Sequence, residues 1–218
     1  MILTEEQMQI RDMAREFATR RLKPHSAMWD REHKHPAKAI AAMGETGFFG
    51  MLLPEEWGGS DAGQLAYSIA LEEIAAGNGA CSTIMSVHNS VGCMPILKFG
   101  TEEQKARFLP KMATGEWIGG FALTEPQAGS DASALKTRAR RDGDGWILDG
   151  TKQFITSGST AKVVITFAVT DPTSPKRGIT AFIVPTDSPG YVVGRIERKL
   201  GQHASDTCQI GFENLRLS

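Results

Sequence analysis

Cysteine is scarce, with three residues in 218, namely Cys81, Cys93 and Cys208. The number is odd and no pair has C-x-x-C spacing, which argues against a disulfide framework or a zinc cluster and points to a reducing compartment. No run of about 18 apolar residues occurs, so no membrane-spanning helix is expected. The opening stretch Met1-Ile2-Leu3-Thr4-Glu5-Glu6 has neither a basic nor an apolar region, so no secretory signal or transit peptide is read there. An excess of charge is missing too: Lys plus Arg is 24 and Asp plus Glu is 25, a net charge of −1. Such a chain has no bulk attraction for nucleic acid or an anionic membrane. There is no G-x-x-x-x-G-K-[ST] and no G-x-S-x-G, which excludes a P-loop and a nucleophile elbow. Gly77-x-Gly79 lacks a third glycine at the right offset and follows a helical stretch, so no Rossmann fingerprint is present. Neither an internal repeat nor a low-complexity segment is found.

What is present is an ordinary globular composition, 41% hydrophobic and 22% charged, in a chain long enough for one large or two small domains. The first half has helical signals. Thr4-x-x-Gln7 and Thr101-x-x-Gln104 are capping-box spacings. Ile10, Met13, Ala14 and Phe17 form one apolar face, and Pro24 is read as the stop of that helix. Further helices are expected over 37–45, around Leu65 to Glu72, over 82–99 with a kink at Pro95, and from Thr101 to about Leu109. From Trp117 onward the pattern favours strands. Asp142-Gly143-Asp144-Gly145 between two strand-like runs is a hairpin signal, and Val163 to Val169 is a continuous apolar run. The expected organisation is therefore a helical domain over 1–116 and a β sandwich or barrel over 117–218. The chain ends at Leu217-Ser218 directly after a strand-like run, which reads as a cut or boundary.

The histidines offer little chemistry by themselves. His33 and His35 lack further ligands at metal spacing, and His88 sits in an apolar helix, where a hydrogen-bonded packing role is expected. The informative stretch runs from Phe121 to Ala134. An apolar strand ends in Thr124, a Pro-containing turn follows, and Gly129-Ser130-Asp131 makes a corner. Backbone groups at a strand end, a glycine permitting close approach and a serine donor suit an anionic ligand, and they equally suit a plain turn.

Ala122-Leu123-Thr124-Glu125-Pro126-Gln127-Ala128-Gly129-Ser130-Asp131 resembles the first signature of the acyl-CoA dehydrogenase family at every fixed position. Pro54-Glu55-x-Trp57-Gly58-Gly59, Phe99-Gly100-Thr101-x-x-Gln104-Lys105 and Gly150-x-Lys152-x-Phe154-Ile155-Thr156-Ser157-Gly158 resemble further family motifs in the same order. The resemblance spans essentially the whole chain. It implies an α+β multidomain fold: an all-α N-terminal domain over 1–116, an antiparallel β-barrel middle domain over 117–218, and a C-terminal helical bundle that this sequence does not include. It also implies FAD as cofactor and α,β-dehydrogenation of a short-chain acyl-CoA. An electron-transfer flavoprotein is the implied electron acceptor, and a tetramer or dimer the implied assembly. The implied location is the bacterial cytoplasm or the mitochondrial matrix.

By the same resemblance, Phe121, Ala122, Leu123 and Thr124 contact the flavin, with the Thr124 hydroxyl on its polar edge. Phe154 and Ile155 pack beside the ring and the Thr156 hydroxyl reaches N5. Gly129 and Ser130 face cofactor or CoA phosphates. Lys176 and Arg177 fall where some members contact the CoA nucleotide, or are solvated loop charges. Met85, Asn89, Cys93 and Met94 line the acyl pocket, or are ordinary core. Glu125 is expected to hold the turn and not to act as base. The family's catalytic glutamate lies in the bundle, so residues 1–218 alone are expected to be inactive. Two alternatives stay open: an acyl-CoA oxidase or flavin monooxygenase relative, and a non-catalytic FAD-binding scaffold.

Overall fold

The computed structural model describes residues 2–174 and 178–218. The chain forms two compact units, one running to Trp117 and including Arg198–Ser205, the other comprising Ile118–Glu197 and Asp206–Ser218. The helical unit thus takes eight residues from deep within the span expected to be purely β.

Helix α1 (Glu5–Phe17) opens with a complete capping box: Gln7 N–H donates to Thr4 Oγ1 at 3.2 Å and Thr4 N–H to Gln7 Oε1 at 3.1 Å. Pro24 does not stop this helix. The backbone continues through a π-helical segment, Ala18–Leu22, into α2 (Lys23–Arg31). Lys23 N–H reaches back to Ala18 O, a step of five residues. Pro24 then falls in the first turn of α2, where a missing N–H is tolerated. The stretch expected as one kinked helix repeats the arrangement: α5 (Gly79–Val87), a π-helical segment His88–Cys93, and α6 (Met94–Phe99) with Pro95 in its first turn.

Between these lie α3 (Ala37–Glu45) and α4 (Gly63–Gly77). Helix α7 (Glu102–Ala113) begins at a second capping box, Thr101 with Gln104, and runs past Pro110 rather than ending near Leu109. Phe48, Phe49, Leu22, Met43, Ile74 and Ile84 are essentially fully buried and form the centre of this unit. Helix α4 packs against α1, where Arg15 and Glu73 pair at 2.5 Å. At the end of α4, a Cβ on Gly77 would lie 2.8 Å from the Ala18 Cβ, so glycine allows the π segment to approach.

Among the described residues the second unit is one seven-stranded sheet: β1 (Gly119–Ala122), β2 (Arg138–Asp142), β3 (Gly145–Thr156), β4 (Val163–Val169), β5 (Ile179–Pro185), β6 (Tyr191–Ile196) and β7 (Thr207–Leu217). The order is β1-β4-β2-β3-β7-β6, with β5 also on β4. The sheet is mixed and open, not an antiparallel barrel. β1 runs parallel to β4 from Gly119↔Val163 to Ala122↔Thr166, and β2 meets β4 in parallel at Arg138↔Val169. A parallel pair needs a long crossover, and the β2–β3 hairpin lies in the connection between β1 and β4. Strand periodicity carries no direction, so the sequence pattern could not distinguish the two pairings. Ala122, Leu148, Ile155, Val164, Val184 and Ile210 belong to the core of this unit. Among the described residues no helix is long and apolar enough to cross a membrane.

Candidate functional site

The chain leaving β1 makes a tight turn in which Glu125 and Ala128 exchange backbone hydrogen bonds at 3.0 and 3.1 Å. The Glu125 side chain folds beneath this turn and is 2% exposed. Its Oε1 accepts from Lys152 Nζ at 2.7 Å and from Thr137 N–H at 3.0 Å. Its Oε2 accepts from Gln127 Nε2 at 2.7 Å and from Lys136 N–H at 2.5 Å. Lys152 is completely buried and also donates to Leu123 O at 3.1 Å.

Burial alone would raise the Glu125 pKa, but Lys152, Thr137 and the backbone N–H groups of Lys136 and Thr137 together hold it down at about 2. Burial in turn pulls Lys152 below its usual value, with Glu125 opposing. Glu125 is therefore an ionised hub with both oxygens engaged, unsuited to collecting a proton from a substrate.

The end of β3 approaches this turn. Gln153 N–H donates to Thr124 O at 2.8 Å, and a Cβ on Gly120 would lie 3.3 Å from Thr156 O. Residues 120–124 and 153–156 thus run side by side in opposite directions. The β3–β7 ladder slips between Lys152 and Ile155, and Phe154 in that slip has φ +59°. Its ring is turned outward and 58% exposed. Ser157 has the same φ, so two left-handed non-glycine residues bracket Ile155 and Thr156. Ile155 is buried in the sheet core and Thr156 is half-buried. Across the way, Ala122 is buried while Phe121, Leu123 and Thr124 are partly exposed. Among the described residues neither the Thr124 nor the Thr156 hydroxyl makes a hydrogen bond within the protein.

The other expected site residues fall as follows. Ser130 is exposed, and among the described residues a Cβ at Gly129 would meet nothing within 4 Å, so their packing does not demand glycine there. Ala122 and Ile155 have core side chains, leaving only their backbones available. Met85 and Asn89 have no exposed surface, and the Asn89 amide donates to Phe48 O and Met85 O. Cys93 is buried with its Sγ 3.4 Å from His88 Nε2, while Met94 is half-buried. Burial lowers the His88 pKa to about 4, and its Nε2 lies 3.0 Å from Met112 O, as suits an interior packing histidine. His33 stacks on His203 with centroids 4.0 Å apart, and no metal-holding cluster occurs among the described residues. Lys176 and Arg177 lie outside the described residues. The reading from sequence missed the bond network around Lys152, whose signal was a lysine at an inward position of a strand.

A mixed sheet presenting this turn, preceded by a helical unit, defines a class. Residues 4–116 match the model of the acyl-CoA dehydrogenase N-terminal domain and residues 120–215 that of the acyl-CoA dehydrogenase middle domain. The chain belongs to the acyl-CoA dehydrogenase family. Among particular proteins, it is 46% identical over 215 residues to the mitochondrial short-chain specific acyl-CoA dehydrogenase of Bos taurus, a match covering 99% of this chain and 52% of that protein. It superposes on butyryl-CoA dehydrogenase from Megasphaera elsdenii with a TM-score of 0.96 at 35% identity, covering 100% of this chain and 58% of that one. A glutaryl-CoA dehydrogenase from Mycobacterium smegmatis in complex with FADH2 superposes with a TM-score of 0.92 at 39% identity, covering 99% and 54%. The chain spans about half the length of the curated relatives it matches.

Proposed function

We propose that residues 1–116 and 117–218 serve as the N-terminal and middle domains of an FAD-dependent acyl-CoA dehydrogenase acting on a short-chain thioester. The observation carrying this is the juxtaposition of residues 120–124 with 153–156, with two unengaged hydroxyls and an outward phenyl ring beside them. This fits a flat ligand with polar edges: Phe154 offers an apolar face, Thr124 and Thr156 offer hydroxyls, and the open space at Gly129 admits a larger group. FAD, when bound, supplies a hydride acceptor.

The chain's own part is to hold and orient. The hydroxyls of Thr124 and of Thr156 would each hold the flavin at a separate point, backbone groups of Phe121 to Leu123 would contact it, and Ile155 anchors their neighbouring strand in the core. Ser130 and the backbone at Gly129 take phosphate oxygens, and Lys176 and Arg177 the nucleotide end of the thioester. Met85 and Asn89, both fully buried, would belong to the wall of the acyl pocket or to the core behind it. No carboxylate here is assigned as base. An electron-transfer flavoprotein as acceptor, a dimer or tetramer, and a location in the bacterial cytoplasm or mitochondrial matrix complete the proposal.

The direct test is Thr156→Val in the full-length chain. Loss of one hydrogen bond should weaken FAD binding about fivefold, read by flavin fluorescence on titrating the apoprotein. Unchanged affinity would remove Thr156 from the site. Butyryl-CoA oxidation should require an electron-transfer flavoprotein or dye; turnover with oxygen alone at the same rate would indicate an oxidase. A preparation whose mass corresponds to residues 1–218 only should hold little flavin and reduce no dye. Removing a thioester α proton requires a positioned carboxylate, and Glu125 is already engaged. Dehydrogenation by that preparation would show that a base lies within these residues.

A further inference from the structure

Two residues with positive φ bracket Thr156, and such backbone is held only where its surroundings over-determine it. Phe154 has the ladder slip and the buried Ile155 beside it. On the other side, Ser157 begins the turn 157–161, in which Thr160 N–H and Ala161 N–H both donate to Ser157 O at 3.1 and 2.7 Å. This turn is gripped from outside by two residues that no motif above singled out.

Asp206 is the principal grip. Its Oδ2 accepts from Ser159 N–H at 2.8 Å and from Ser159 Oγ at 3.0 Å, and its Oδ1 from Thr160 Oγ1 at 2.8 Å. Its backbone carbonyl accepts from Ser157 N–H at 3.0 Å, and the next residue, Thr207, is the ladder partner of Thr156. Tyr191 on β6 adds a second point, its hydroxyl donating to Gly158 O at 2.7 Å. Bonds from one carboxylate to two successive turn residues, together with its own backbone bond to Ser157, fix the chain immediately after Thr156. None of these groups reaches Thr156 Oγ1 itself, so their influence passes through the backbone.

We propose that Asp206, assisted by Tyr191, is a positioning residue that sets the direction of the Thr156 hydroxyl towards the cofactor. The proposal rests on the flavin reading of Thr156 given above and deepens it. Asp206→Asn converts one acceptor to an amide donor facing a turn built of donors, which releases the turn while keeping the side chain's size. The Thr156 hydroxyl then loses its fixed direction and with it most of its hydrogen bond.

A double-mutant cycle in the full-length apoprotein tests this, with FAD affinity read by fluorescence titration and apoprotein melting recorded for each variant. Asp206→Asn should weaken FAD binding about fivefold when Thr156 is present and less than about twofold in the Thr156→Val background. A loss of the same size in both backgrounds, or no loss in either, would overturn the positioning role, because a merely structural residue acts additively. If Thr156→Val alone leaves FAD affinity unchanged, the flavin reading falls and the proposal with it. Should Asp206→Asn fail to fold, Tyr191→Phe takes its place in the same cycle. It removes one hydroxyl from the same turn and should show about a twofold effect that disappears without Thr156; an effect that persists would likewise overturn the proposal.

Discussion

Lys152 and Glu125 form a buried pair beneath the turn that carries Thr124. Lys152 ties Leu123 O and Glu125 together from below, which leaves Thr124 between two fixed neighbours. Lys152→Met should destabilise the protein by about 3 kcal/mol in chemical denaturation, since it strands a buried carboxylate that keeps its other donors. Acid should act on the same contact. The Glu125 carboxyl titrates at about 2 when folded against an ordinary 4.5. Above 4.5 its contribution is complete; as pH falls from there, the unfolded chain takes up a proton that the folded chain refuses, and the contribution is gone by about 2. Glu125→Gln should therefore flatten the decline of stability between those values, measured by urea midpoints across the pH series. At this scale the motif resemblance was informative about Glu125, which holds the turn as expected. It was silent on Asp206 and Tyr191, because a hydrogen bond between residues 33 to 47 positions apart leaves no local pattern.

Among the elements, those governed by neighbouring residues could be read and those governed by distant ones could not. Both capping boxes form as the Thr-x-x-Gln spacing requires, and the hairpin from Arg138 to Thr156 turns at Gly143 with φ +60°. The two π-helical segments could not be read, since proline after a π turn looks the same in sequence as proline ending a helix. The cap of α5 was also overlooked: Asn78 accepts from Cys81 N–H at 2.9 Å and donates to Ser26 Oγ at 2.8 Å. Asn78 is buried, whereas Thr4 is exposed. Asn78→Ala should accordingly cost about 2 kcal/mol and Thr4→Ala about 1 kcal/mol or less, compared by thermal denaturation.

For the molecule as a whole, the change from helix to strand near residue 117 was legible as a change of period, but the return of residues 198–205 to the helical unit was not. That segment is joined by His203, whose N–H and ring both meet Asp30, at 2.8 and 3.1 Å, and by Gln202, which accepts from Thr83 Oγ1 at 2.7 Å. Its residues are polar and irregular, so only the tertiary partners reveal where it belongs. Replacing 198–205 by a Gly-Ser stretch of equal length should lower the midpoint of helical melting by several degrees, followed by circular dichroism at 222 nm. The excursion also bears on modular inheritance. A crossover at the boundary near 117 between two related genes would deliver Asp30 and Thr83 from one parent and His203 and Gln202 from the other. Shuffled descendants would keep a sound helical half only where both parents agree at these four positions, so the structural seam of the protein is not a seam in its gene.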